Sequence, residues 1–136
     1  MRKVDKVWGF EEIWENTPKY CLKRLILHKG MKCSYHCHLK KEETLIVERG
    51  LVAFKVGEKE FAAGEEVAVK LGPGQYHKFG GLTDAALVEV STHDDEADNE
   101  RDPAELSGPM TAKGVSINMD DGTVLKLYHE RLAGTI

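Results

Sequence analysis

Four residues have side chains and spacings suited to holding a cation: His36, His38, Glu43 and His77. His36 and His38 stand two apart, and in an extended strand residues i and i+2 project from one face, so both imidazoles can reach a single ion. Glu43 opens the next apolar run, and its parity with Leu45 and Val47 turns its carboxylate toward the same interior. A carboxylate left there without a partner is costly, so a cation is expected beside it. His77 follows the Gly72-Pro73-Gly74 turn and enters from a separate strand. Three imidazoles and one carboxylate leave positions for water or substrate on one borderline divalent ion such as Zn, Mn, Fe, Co or Ni.

Cys33 and Cys37, beside these histidines, offer a different zinc set. Adjacent strand residues point to opposite faces, however, so Cys37 is expected to look away from both imidazoles. Cys21, Cys33 and Cys37 form an odd, sparse set in a chain without an apolar signal core, which argues for reduced thiols. His28, His93 and His129 have no spacing partner that would make them ligands.

Short β strands must position these residues. Runs of β-branched and aliphatic residues bounded by Gly, Pro or charge recur along the chain, the pattern of an all-β sandwich or barrel. Strands are predicted over 20–27, 32–38, 43–48, 51–56, 59–62, 66–71, 75–79 and 85–91. Residues 93–109, HDDEADNERDPAELSGP, are acidic and turn-rich and read as a loop leaving the barrel. Beyond them, VSINM and TVLKLYH flank Asp121-Gly122, a dipeptide favoured in tight hairpins. The expected organisation is a barrel with an N-terminal strand segment over 1–108 and a C-terminal hairpin extension over 109–136.

Composition narrows the function classes. A chain of 136 residues fits one domain, and 41% apolar with 31% charged residues is ordinary for a globular protein. A net charge of -4, with cations scattered among acids, lacks the footprint of a nucleic-acid binder. The apolar runs fall far short of the roughly 20 residues of a membrane helix. A cytoplasmic location without membrane attachment is therefore expected.

The metal segment reads glycine, five residues, His36-Cys37-His38, four residues, Glu43, six residues, Gly50, and then a glycine-rich turn and His77. This pattern resembles the two motifs of the cupin superfamily, over about residues 8 to 101, and implies a double-stranded β-helix, or jelly-roll barrel. The second motif departs from the family in having Gly72 where proline is usual, with a gap from Gly64 two residues longer. The loop carrying His77 is expected to differ in shape accordingly.

The flanking segments Val7 to Trp14, Tyr20 to Lys23, Ser34 to Thr44 and Val88 to His93 resemble type II mannose-6-phosphate isomerases and D-lyxose isomerases. That resemblance implies a small carbohydrate or sugar-phosphate ligand and aldose–ketose isomerisation through an enediol. It places Lys41 and Glu89 by the metal; Glu89 is expected to be the base, with Lys41 stabilising the developing oxyanion or assisting proton movement. Glu89 shares parity with Leu87, which points it inward; the opposite phase would fill the core with Val88 and Val90. Lys23 shares parity with Leu25 and Leu27 and either meets a substrate phosphate or hydroxyl or snorkels along the barrel mouth. Trp8 and Trp14 are expected to pack rather than stack on a sugar. The competing functions are an Fe(II)-dependent dioxygenase with the same ligands and a non-catalytic sugar-binding accessory cupin. Exposed sheet edges favour a homodimer.

Overall fold

A computed structural model describes residues 1–110. The expected hairpin around Asp121-Gly122, like His129, lies outside the described residues. The described elements are all strands: β1 (Arg2–Lys6), β2 (Gly9–Asn16), β3 (Cys21–Leu27), β4 (Met31–Lys32), β5 (His36–Cys37), β6 (Glu43–Arg49), β7 (Val52–Val56), β8 (Lys59–Ala63), β9 (Ala68–Leu71), β10 (His77–Gly81), β11 (Ala85–Ser91), β12 (Glu100–Arg101) and β13 (Gly108–Pro109). No helix among the described residues is long and apolar enough to cross a membrane, which says nothing of strands.

The strands form two antiparallel sheets. One runs β1-β2-β3-β11-β6-β9. In the other, β10 is flanked by β7 and by the split pair β4 and β5, with β8 added to β7, β12 to β5 and β13 to β4. Alternation sets the inner faces: along β3 the buried residues are Cys21, Lys23, Leu25 and Leu27, and along β6 Glu43, Leu45 and Val47. Side chains of period two fill the space between sheets, as the pleat requires.

The inner rows change character along their length. Leu25, Leu27, Leu45, Val47, Leu71 and Leu87 are almost fully buried and meet Phe54, Phe79 and Trp8, each large side chain stabilising the fold by about 1.5–3 kcal/mol. Toward the other end the same strands present Lys23, Glu43, Glu89 and Ser91. Glu89 lies directly between Lys23 of β3 and Leu45 of β6, and Ser91 directly between Cys21 and Glu43. The apolar end holds the sheets together, and the polar end faces an open cleft of about 840 Å³.

Three features differ from the sequence reading. The N-terminal segment forms a complete hairpin, β1 with β2, docked on β3. Its Gly9 sits at φ 150° against β3, where a Cβ would stand 1.8 Å from the Ile26 carbonyl oxygen, so no side chain fits. The predicted strand over 32–38 is broken, because Cys33 donates its amide to Phe79 while Tyr35 donates to Glu105. Finally, residues 93–109 do not leave the barrel. They return along its rim as a strap, pairing Glu100 and Arg101 with β5 and Gly108 and Pro109 with β4.

Candidate functional site

The three histidines come from two neighbouring strands. His36 of β5 is directly opposite His77 of β10, and His38 stands immediately after β5. Their ring centroids lie 4.5, 5.1 and 5.7 Å apart in pairs, and one ring nitrogen of each lies within 4.8 Å of the other two. His77 therefore joins the cluster despite the altered turn before it. That turn is closed by Gln75 bonding back to Gly72 and is tied to the cluster by the Gly74 amide, which donates to the His38 carbonyl at 2.7 Å.

Backbone carbonyls orient all three rings. His36 Nδ1 lies 2.7 Å from the Ser34 oxygen, His38 Nδ1 2.8 Å from the Asp98 oxygen, and His77 Nδ1 2.9 Å from the Gln75 oxygen. A carbonyl only accepts, so each Nδ1 carries its proton and each Nε2 is the free nitrogen. Burial and then the neighbouring His77 push His36 down to about 3, and burial followed by the Lys41 charge lowers His38. Neutral imidazoles with a fixed tautomer are the form a metal requires.

Glu43 adjoins the cluster, its Oε1 3.0 Å from His77 Nε2 and its Oε2 3.0 Å from Lys41 Nζ. With Nδ1 of His77 already donating, Nε2 and Oε1 face one another as two acceptors. Both His77 Nε2 and Glu43 Oε2 are buried without a hydrogen-bond partner. Orphaned buried polar atoms are expensive, and a cation between them relieves the opposition. The three histidines thus fit a divalent ion in donor type, tautomer and spacing, and Glu43 stands beside them against His77. Cys37, by contrast, turns away, its Sγ 3.8 Å from Glu100, and all three cysteines are free thiols. Burial pushes Cys33 up to about 12 and Cys21 to about 11, so both remain protonated.

Beside the histidines lies a chain of buried charges. Lys41 is 5% exposed and its ammonium meets Glu43, Glu89 and Asp94 at 3.0, 3.2 and 3.0 Å. Of the three ammonium donors, Glu89 and Asp94 each accept one, while Glu43 meets the charge as an ion pair without a hydrogen bond. Lys23 also reaches the inner face, but its ammonium is engaged by Asp94 at 2.8 Å and Glu11 at 3.4 Å. Lys23 lines the same cleft with its ammonium paired to these two carboxylates. Carboxylates thus outnumber ammoniums in this chain of contacts, an acidic excess that a cation would offset.

Glu89 points inward at 5% exposure, whereas Val90 of the opposite phase is 46% exposed. Burial first, and then the Glu43 carboxylate, raise Glu89 above the usual carboxylate range against the pull of Lys41 and Lys23. It lines the cleft with His36, His38, Lys41 and Glu43, while Trp8 and Phe79 form an apolar wall. Trp8 packs edge-on against Phe79 at 5.6 Å, as expected of a packing residue. Trp14 lies outside the core: it is 51% exposed at the register shift between Ile13 and Glu15, with the Arg24 guanidinium 6.0 Å from its ring centroid.

Two site residues lie in the acidic strap and carry no sequence signal of their own. Asp94 bridges both lysines and is anchored by Asn16, which accepts its amide and donates to its carbonyl. Asp98 accepts from the amides of Leu39, Lys40 and Lys41. His93 is a rim residue whose ring bonds the Thr17 carbonyl.

No protein-family profile matches the chain, and no curated protein does. Solved structures of similar shape are numerous. KdgF from Halomonas sp. superposes with a TM-score of 0.66 at 13% identity, over 71% of this chain and 92% of that one. Streptomyces Pac13 with uridine gives 0.66 at 14% identity, over 74% and 83%, and Pac13 is described as a nucleoside dehydratase. A Klebsiella pneumoniae protein with a double-stranded β-helix domain gives 0.60 at 17% identity, over 67% and 81%. The chain accordingly has the cupin double-stranded β-helix fold, as the motifs implied.

Proposed function

We propose that this protein is a metal-dependent enzyme that moves a proton between adjacent carbons of a small sugar or sugar phosphate, interconverting aldose and ketose. The observation that carries the reading is Glu89: a buried carboxylate with a raised pKa, directed into the cleft beside the three-histidine cluster.

A divalent ion held by His36, His38, His77 and Glu43 would supply Lewis acidity toward a carbonyl and its neighbouring hydroxyl. Glu89 takes the proton from one carbon and returns it to the next, and its raised pKa makes it a stronger base than an exposed carboxylate. Lys41 carries positive charge to the oxygen that becomes negative as the carbon is deprotonated. Asp94, fixed by Asn16 and Lys23, holds the Lys41 ammonium in place. The apolar wall of Trp8 and Phe79 keeps water from one side of the cleft.

A second reading is elimination of water, which begins with the same abstraction at carbon and is favoured by the likeness in fold to the Streptomyces dehydratase. The test is to incubate metal-loaded protein with aldoses and aldose phosphates in deuterium oxide and follow products by NMR and mass. A ketose carrying deuterium on the former aldehyde carbon is the expected product. A product lighter by one water selects elimination, and no turnover of any of these substrates overturns the isomerase.

A further inference from the structure

Asp98 is 60 residues from His38 in sequence, yet its contacts converge on the segment that carries His38 and Lys41. Its Oδ1 accepts from Leu39 at 2.7 Å and Lys40 at 3.2 Å, and its Oδ2 accepts from Lys40 at 3.1 Å and Lys41 at 3.0 Å. Three consecutive amides aimed at one carboxylate form a concave anion nest in which the residues between two functional side chains cannot rotate freely. The same residue's carbonyl oxygen accepts from His38 Nδ1 at 2.8 Å. The Asp98 amide in turn donates to Asp95 at 2.9 Å, so the residue is fixed within the strap. His38 is thus held at its ring by the strap and at its carbonyl by Gly74.

We propose that Asp98 is a positioning residue of the metal centre: its carboxylate locks the 39–41 turn while its carbonyl aims the His38 ring, so that the strap sets the geometry of ligand and lysine together. This rests on the metal reading above. A merely structural cap would hold the turn without regard to the ion, and the strap contains one for comparison. Asp102 accepts the Ala104 amide at 2.9 Å, a local cap that touches neither His38 nor the 39–41 turn.

The test titrates cobalt(II) into the unmodified protein, Asp98→Asn and Asp102→Asn, reading affinity by competition with a chromophoric chelator and geometry by the visible spectrum. Asn keeps the size but turns an amide nitrogen toward backbone donors. Asp98→Asn is expected to bind about 10- to 100-fold more weakly, the usual cost of losing an outer partner of a metal ligand, with shifted cobalt bands. Asp102→Asn is expected to match the unmodified protein in both. Affinity and spectrum unchanged in Asp98→Asn, or equal losses in both variants, overturn the proposal. Should Asp98→Asn not fold, amide exchange on the unmodified protein decides: metal addition is expected to slow exchange at Leu39, Lys40 and Lys41, and unchanged rates overturn it. No cobalt uptake by the unmodified protein at all removes the metal reading itself, a failure distinct from the others.

Discussion

Replacing Glu89 by glutamine is expected to lower turnover by about 10²- to 10⁴-fold, the range a positioned acid–base group contributes, while substrate affinity, metal content and thermal stability stay near those of the unmodified protein. The side chain lies on β11 between Lys23 and Leu45, so an isosteric amide fits the same space. Its carbonyl oxygen can still accept from the Lys41 ammonium, which lies 3.2 Å from the carboxylate. What disappears is the lone pair basic enough to remove a proton from carbon. The measurement is kcat and KM on the substrate found in the deuterium experiment, with metal content of the same preparation. Turnover within about threefold of the unmodified protein would exclude Glu89 as the base and return the problem to the other groups in the cleft.

Removal of single imidazoles should abolish the stabilisation that metal confers. A ligand that binds only the folded chain stabilises it by about 2.7 kcal/mol at one hundred times its dissociation constant, a rise of several degrees in Tm for a chain of this size. The unmodified protein is expected to show that rise on addition of zinc or manganese, and His36→Ala and His77→Ala are expected to show none. His77→Ala is the more informative of the two. Its ring nitrogen lies 3.0 Å from Glu43 without a hydrogen-bond partner, so the substitution removes the imidazole that stands beside the carboxylate. Equal metal-dependent shifts in all three proteins would place the ion elsewhere.

Much of this was legible in the residues because the inner faces obey period two. Alternation in β3, β6 and β11 placed Lys23, Glu43 and Glu89 on the inner face, and the structure finds them buried there. The i, i+2 histidines meet as their spacing implied, and His77 meets them although Gly72 replaces the usual proline. Other features were silent for physical reasons. β1 is mostly exposed and charged, so its membership in the sheet comes from pairing with β2 and not from its own pattern. β12 and β13 are two residues each within an acidic stretch, and their partners define them. Asp94 and Asp98 stand in a run of like residues where nothing local marks them; only closure of the chain over some 50 to 60 positions gives them Lys41 and His38. The outward turn of Trp14 has the same origin, since a register shift against β3 is invisible without the partner strand.

The claim on which the rest depends is that His36, His38, His77 and Glu43 hold a metal ion. Elemental analysis of protein purified without chelator tests it most directly, with the four single alanine variants prepared in parallel. The expected result is about one divalent transition metal ion per chain in the unmodified protein and loss of that ion in each variant. A full complement of metal retained in both His36→Ala and His38→Ala would contradict it.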